Sequence, residues 1–121
     1  MHWTTLFVLL ALTALLVLLK RAGRISLADA REHLSNGALL IDVRTAGEFV
    51  SGHLPRAINL PVNEIDAILP RRVPDKSQVL LLHCQSGMRS GIAKRKVKAL
   101  GYANVFNLGS YARAAQAVNG R

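Results

Sequence analysis

The sequence predicts an α/β sandwich, in which helices cover both faces of a parallel β-sheet. The clearest strand is the continuous apolar run of residues 79–82, which ends at His83. An apolar run of that kind is typical of a parallel strand that is buried on both faces. Two further apolar runs, over residues 38–43 and 104–108, are separated from it by segments with helical patterns. Strands that alternate with helices in this way predict a parallel sheet between helices.

The remaining elements follow from turn and capping residues. Ser26, with Asp29 three residues later, predicts the start of a helix that runs to about Leu34 and is broken at Asn36 and Gly37. Other predicted elements are a strand over 57–60, a helix over 63–69 stopped by Pro70, a helix over 90–100 ended by Gly101, and a helix over 111–118.

The chain divides into an N-terminal segment, residues 1–24, and a domain, residues 25–121. Residues 3–19 carry no charge and are almost wholly aliphatic, and as a helix they would extend roughly 25 Å. That length is at the short end for crossing a bilayer. Lys20, Arg21 and Arg24 follow the apolar stretch. We therefore predict one N-terminal transmembrane helix with a basic flank, in a single-pass membrane protein.

A cleaved signal peptide is the alternative interpretation of this leader. Signal peptides carry positive charge before the apolar stretch and a small-x-small cleavage site after it. Here no Lys or Arg precedes the stretch, and the residues before Lys20 are Leu-Leu-Val-Leu-Leu. An uncleaved anchor is favoured, and the positive-inside rule places the domain in the cytoplasm. A cleaved leader would instead make the domain periplasmic or secreted.

Charge and cysteine content limit the classes of partner. The formal net charge is +9, which suits anionic lipid or a small anionic substrate. Aromatic residues are sparse, and the basic run over 94–98 fits a solvated helix face, so we expect no nucleic-acid partner. Cys84 is the single cysteine, which excludes an intramolecular disulfide and a multi-cysteine zinc site. The histidines lack metal-ligand spacing, and we expect neither a metal nor a cofactor.

The candidate site is the loop that follows the strongest predicted strand. Cys84 directly follows that strand, and a helix begins a few residues later. The N-terminus of a helix offers free amides and a partial positive charge, which stabilise a thiolate. Gly87 permits the tight turn that directs several amides to one point, and Arg89 adds a cation suited to an oxyanion. This context favours a nucleophilic Cys84 over the alternative of a small buried hydrophobe.

Two motifs resemble the conserved sequences of rhodanese domains. The first is Asp42-Val-Arg44-Thr-Ala-Gly-Glu48-Phe49 followed by Gly-His-Leu-Pro-Arg-Ala-Ile-Asn-Leu-Pro over 52–61, and the second is the loop from Cys84 to Arg89. The resemblance covers residues 25–108. It implies the rhodanese fold, a five-stranded parallel sheet sandwiched by helices. It also implies sulfur transfer, in which the cysteine takes a sulfane sulfur from thiosulfate or a persulfide and passes it to a thiophilic acceptor.

The resemblance implies a role for each site residue. Cys84 would be the nucleophile and sulfur carrier, and Arg89 would bind the anionic end of the donor. The loop residues expected to bind substrate are Gln85, Ser86, Gly87, Met88 and Ser90. The residues expected to support the fold beneath the loop are Asp42, Arg44 and Glu48, with Glu48 as the partner of Arg44.

Loop length and two departures from the family pattern bear on the reaction. Related phosphatases and arsenate reductases have five residues between cysteine and arginine, whereas four separate Cys84 from Arg89. The shorter loop suits a single sulfur atom and disfavours phosphatase or arsenate reductase activity. Ser110 stands where many relatives have glycine, and Gln85 stands where some users of thiosulfate have arginine. The alternative to an enzyme that acts on small molecules is a membrane-held module. It would carry sulfur to a protein partner or report redox state to it.

Overall fold

The computed structural model describes residues 2–120, apart from the side chains of residues 20–22. In chain order its elements are α1 (Trp3–Ala22), α2 (Leu27–Ser35), β1 (Leu39–Asp42), α3 (Ala46–Ser51), β2 (Ile58–Asn59), α4 (Ile65–Arg72), β3 (Leu80–His83), α5 (Met88–Ala99), β4 (Val105–Gly109) and α6 (Tyr111–Asn119). Strands and helices alternate from β1 onward, as the sequence predicts.

The sheet is parallel throughout and has the strand order β2-β1-β3-β4. The expectation of five strands is wrong for residues 2–120, where the sheet has four. Ile25 lies along the outer edge of β4, where its amide donates to the carbonyl of Asn107 at 3.1 Å. One hydrogen bond does not make a ladder, so this segment covers the edge without adding a strand.

Two hydrophobic clusters lie on opposite faces of the sheet. Side chains alternate along β3, so that Leu80 and Leu82 belong to one cluster and Leu81 to the other. The first face is covered by α4 and α5, which contribute residues such as Leu69 and Val97. The second face is covered by α2 and α6. All four residues of β3 are buried, as a central parallel strand requires.

Polar side chains cap the starts of α2, α3 and α6, whereas α4 and α5 have no side-chain cap. The Ser26 hydroxyl accepts from the amide of Asp29 at 3.1 Å, which confirms the predicted cap of α2. Helix α3 was not predicted, because it has only six residues. The prediction that Pro70 stops a helix is wrong, since Pro70 lies inside α4. Pro70 removes only one hydrogen-bond donor, and the helix ends within a turn, where Val73 donates to the carbonyl of Leu69 at 2.8 Å.

Helix α1 carries apolar side chains that are exposed along residues 3–19. Within the part of the chain that the structure describes, no helix combines the length and the apolarity needed to cross a membrane. The predicted transmembrane anchor is therefore not supported. The side chains of Lys20 and Arg21, which were predicted to flank it, lie outside the described residues.

Candidate active site

The loop after β3 lies at the point where the chain reverses its direction across the sheet. From β1 the chain proceeds outward to β2, whereas β3 lies on the other side of β1 and leads to β4. Asp42 and His83, the last residues of β1 and β3, are register partners at this edge. Ligands of open α/β sheets bind at such a switch point, beyond the carboxyl ends of the strands. Cys84 follows β3 at this position.

The loop closes around the sulfur of Cys84. Sγ accepts hydrogen bonds from the amide of Gly87 at 3.0 Å and from the amide of Ser90 at 3.4 Å. Gly87 adopts φ +95°, and a Cβ added there would lie 3.3 Å from the Cα of Gly109. Both the backbone angle and the close approach require glycine at this position. The amides at the start of α5 therefore converge on the sulfur, as the sequence predicts.

The environment of Cys84 lowers the pKa of its thiol. Burial raises this pKa, but hydrogen bonds from the Ser90 hydroxyl and from the amides of Ser90, Gly87 and Ser86 lower it, and the net shift is downward. The side chain has 0% exposed surface. The fold thus stabilises a thiolate and covers it at the same time, so any molecule that reacts with Sγ has to displace part of the loop.

The hydroxyl of Ser90 connects the sulfur to β4. Its Oγ lies 3.5 Å from Sγ and donates to Oδ1 of Asn107 at 2.7 Å. Oδ1 of Asn107 also accepts from the amide of Gly109 at 3.0 Å. When Cys84 is protonated, its thiol donates to Oγ, and when it is ionised, the Ser90 hydrogen can turn to the sulfur. Asn107 was not among the predicted site residues, although it is a polar residue inside the apolar run over 104–108.

Arg89 is paired with Glu48 rather than free. Its two terminal nitrogens donate to the two carboxylate oxygens of Glu48 at 2.7 and 3.0 Å. The expected pairing of Glu48 with Arg44 is replaced by this one. Glu48 occupies the third position of α3 and forms a capping box with Thr45, which directs its carboxylate toward the start of α5. The hydrogen bonds from Arg89 and then from Thr45 lower the pKa of Glu48 to about 2.

Asp42 and Arg44 form a separate buried pair beneath the loop. Arg44 donates from Nη2 to the Asp42 carboxylate at 2.7 Å, and its Nε lies 3.0 Å from both carboxylate oxygens. The same Nη2 donates to the carbonyl of Gly52 at 2.7 Å, and the guanidinium lies 4.8 Å from the ring centre of Tyr111. These contacts join the end of β1 to Gly52 and Tyr111, and the support of the loop by Asp42 and Arg44 stays a prediction.

His83 is buried in this cluster as a neutral ring. Its Nδ1 lies 3.3 Å from the carbonyl oxygen of Cys84, and its Nε2 lies 3.8 Å from the Asp42 carboxylate without a hydrogen-bond partner. Burial lowers the pKa of His83 and outweighs the opposing effect of Asp42. The ring packs edge-on against Tyr111. A neutral histidine that makes no contact with Sγ is a packing residue and not a base for the thiol.

The other predicted loop residues lie around the sulfur at different depths. The carbonyl oxygen of Gln85 accepts a hydrogen bond from the amide of Tyr111 at 3.2 Å, and Ser86 forms a β-bridge with Ser110. The side chain of Met88 is 74% exposed. Of the predicted substrate-binding residues, Ser86, Gly87 and Ser90 have amides that lower the thiol pKa, and the amides of Gly87 and Ser90 lie 3.0 and 3.4 Å from Sγ.

Ser110, which stands where many relatives have glycine, does not strain the backbone. Ser110 has φ −76° and accepts the amide of Arg113 at 3.1 Å, and in this way it caps α6. The residue that requires a positive φ is Gly109, at +103°.

Within residues 2–120, no three His, Cys, Asp or Glu side chains form a group that could hold a metal ion.

Comparison with known proteins shows the family. Residues 26–116 match the rhodanese-like domain. The chain is 36% identical over 69 residues to thiosulfate sulfurtransferase PspE of Escherichia coli, covering 57% of this chain and 66% of PspE. It is 31% identical to human thiosulfate:glutathione sulfurtransferase, covering 71% of this chain and 86% of that protein.

A solved structure agrees with these matches. The human single-domain sulfurtransferase TSTD1 superimposes with a TM-score of 0.63 at 29% identity, covering 78% of this chain and 96% of that one. The chain spans just under two thirds of PspE and 64% of a sulfurtransferase from Allochromatium vinosum. The match over most of its length, together with the cysteine loop at the sheet edge, establishes that this chain belongs to the rhodanese-like domain family.

Proposed function

We propose that the chain is a rhodanese-type sulfurtransferase with Cys84 as its sulfur carrier. The observation that carries this proposal is the convergence of the Gly87 and Ser90 amides on Sγ, at the positive end of α5. An amide cradle of this kind stabilises a thiolate, which is the nucleophilic form of cysteine. The names of two curated relatives include thiosulfate as a substrate, and thiosulfate is therefore the donor that we propose here.

The proposed reaction has two steps. In the first, the Cys84 thiolate attacks the outer sulfur of thiosulfate, and the sulfur–sulfur bond of the donor breaks. Its electron pair leaves with sulfite, and Cys84 becomes a persulfide anion. In the second step, an acceptor thiolate or cyanide attacks the outer sulfur of the persulfide and regenerates the Cys84 thiolate. Neither step needs an oxidant, a reductant or a cofactor.

The loop residues supply binding and charge stabilisation in this scheme. The amides of Gly87 and Ser90, which hold Sγ in the free chain, would hold the outer sulfur of the persulfide after the loop adjusts. Arg89 would bind the oxygens of the donor's sulfonate end and of the departing sulfite. Asp42 and Arg44 keep the end of β1 in place under the loop and take no part in bond making.

Mass spectrometry of the intact protein tests the proposal. Incubation with thiosulfate is expected to add one sulfur atom, about 32 Da, to the wild-type chain, because a persulfide forms on the single cysteine. Cys84→Ser is the matched control, since it keeps the loop and removes the nucleophile. Cyanide should then remove the added mass and yield thiocyanate. An unchanged mass in the wild type, or the same gain in Cys84→Ser, would contradict the proposal.

We also propose that α1 attaches the domain to a membrane. The support is the exposure of its apolar side chains, among them Trp3 at 77%, on a helix whose residues 3–19 are all exposed. A soluble monomer rarely exposes so much contiguous apolar surface. The full chain should co-sediment with phospholipid vesicles, and a chain that begins at Ile25 should stay in the supernatant. Equal partitioning of the two chains would contradict this attachment. A cytoplasmic domain stays a prediction, as does its action on a protein acceptor.

A further inference from the structure

Arg89, the residue that is expected to bind an anionic donor, already holds an anion from its own chain. Both terminal nitrogens of its guanidinium donate to Glu48, one to each carboxylate oxygen. This two-point geometry is the one by which a guanidinium binds a sulfonate or a sulfite. The pair is about one third exposed on each side, so it lies at the surface of the site and is open to competition from solution. A donor that approaches Arg89 therefore has to compete with Glu48 for the guanidinium.

Glu48 is held in place independently of Arg89. Its Oε1 accepts the amide of Thr45 at 3.0 Å and the Thr45 hydroxyl at 3.1 Å, in the capping box of α3. If Arg89 turned to a donor, these two bonds would keep the carboxylate beside the site. Arg89 and Thr45 lower the pKa of Glu48 to about 2, and even the ordinary pKa of a glutamate, about 4.3, leaves its charge present throughout the neutral range. A donor anion consequently has to replace Glu48 at Arg89 and also tolerate a second negative charge nearby.

The Asp42–Arg44 pair and His83, which lie beneath the loop, do not offset this carboxylate. Arg44 is bound to Asp42 in the buried pair beneath the loop, which leaves that pair without net charge. His83 is neutral for the reasons given above. Glu48 is therefore the charged group that binds Arg89 directly, whereas the cations Arg24 and Arg113 pack over Gly109.

We propose that Glu48 determines the donor specificity of this site by competing with small anions for the guanidinium of Arg89. This inference rests on the proposed sulfur transfer, and it assigns Glu48 a role beyond support of the fold. Glu48 would weaken the binding of thiosulfate, and of anionic donors in general, relative to donors that carry no charge next to the transferred sulfur. Glu48 acts through Arg89, and it is thus a positioning residue and not a catalytic one.

Alkylation of Cys84 by two reagents of equal size tests the competition without any sulfur transfer. Iodoacetate is an anion and iodoacetamide is neutral, and in both the Cys84 thiolate attacks the CH2 carbon and displaces iodide. In Glu48→Gln the ratio of the iodoacetate rate to the iodoacetamide rate should rise about three- to five-fold, the effect of removing one partly exposed charge. The rise should shrink at high salt, because salt screens exposed charges. A ratio that is unchanged or lower would overturn the inference.

Glu48→Gln suits this test because a glutamine oxygen can still accept from Thr45 and preserve the cap. Thr45→Ala is the matched control, since it weakens the same cap and leaves both charges in place. It should lower the melting temperature without changing the alkylation ratio. A ratio that rises equally in Thr45→Ala would assign the effect to loosening of α3 and would overturn the proposed role of Glu48.

Steady-state kinetics with thiosulfate and cyanide extend the test to the proposed reaction. Glu48→Gln should lower KM for thiosulfate about three- to five-fold with little change in kcat, because the competing carboxylate acts on binding. A higher KM would mean that Glu48 orients Arg89 for the donor, and it would overturn the inference. If the wild-type chain does not take sulfur from thiosulfate at all, the proposed function fails, whereas the alkylation ratio still decides the role of Glu48.

Discussion

Replacing Gly87 by alanine tests the amide cradle at its most constrained point. Gly87 has φ +95°, and a new Cβ would lie 3.3 Å from the Cα of Gly109 and 3.6 Å from the amide nitrogen of Ser110. Those neighbours are backbone atoms and cannot rotate away as a side chain would. The loop would have to shift by a few tenths of an ångström, and the shift would lengthen the 3.0 Å bond from the Gly87 amide to Sγ.

Two effects set the size of the change. An L-residue in the left-handed region costs about 1–2 kcal/mol, so the melting temperature should fall by roughly 5–15 °C in a domain of this size. A hydrogen bond to a charged group contributes about 1.5–3 kcal/mol, and its loss would raise the pKa of the Cys84 thiol. Persulfide formation at neutral pH should slow accordingly, since less thiolate is present.

The pH dependence of iodoacetamide alkylation measures the thiol pKa directly. Gly47→Ala is the matched control, because Gly47 is exposed in α3 and a Cβ added there meets no atom within 4 Å. The control should keep the wild-type thiol pKa and should not lower the melting temperature, since alanine forms helix better than glycine. If Gly87→Ala has the thiol pKa and loading rate of the wild type, the amide of Gly87 does not stabilise the thiolate and the cradle argument is refuted.

Four further changes test the surroundings of the loop. Ser90→Ala should raise the thiol pKa, as measured by the same alkylation profile, because it removes the hydroxyl that lowers this pKa. Asp42→Asn should destabilise the chain by about 3–5 kcal/mol in urea unfolding, because it leaves the buried Arg44 without its carboxylate. The lowered pKa of His83 means that the unfolded chain takes up this proton at a higher pH than the folded one. Stability should therefore fall as the pH drops below about 6.5, and His83→Gln should flatten that dependence in urea titrations at several pH values. Ser110→Ala should cost about 1 kcal/mol through loss of the α6 cap, whereas Ser110→Gly should cost only a few tenths, and equal losses would contradict the capping role.

The central strands could be predicted from the sequence because a strand that is buried on both faces is apolar at nearly every position. Residues 79–82 are continuously apolar, and β3 is buried throughout. The helix after the loop was expected from Ser90 and begins two residues earlier, at Met88. Helix α3 was missed since a six-residue helix has too little periodicity to detect, although Thr45 and Glu48 carry the spacing of a capping box.

The site residues were predicted better than their partners. The placement of Cys84, Gly87 and Arg89 in one loop follows from their adjacency in the chain. The pairing of Arg89 with Glu48 joins residues that are 41 positions apart, and it depends on how α3 packs near the start of α5. Local patterns contain no such information. The same holds for Asn107, whose contact with Ser90 requires β4 to lie next to β3.

The hydrogen bond from Ile25 to β4 limits how freely the domain can turn about its N-terminal helix. The amide of Ile25 is bound to the carbonyl of Asn107, and Arg24 packs over Gly109. The chain is thus fastened to the strand that also supports the reactive sulfur, and the free tether before Arg24 is very short. A membrane or protein that binds α1 would therefore keep the Cys84 loop close to itself. A force applied to α1 would be transmitted first to β4, the strand that supports Cys84.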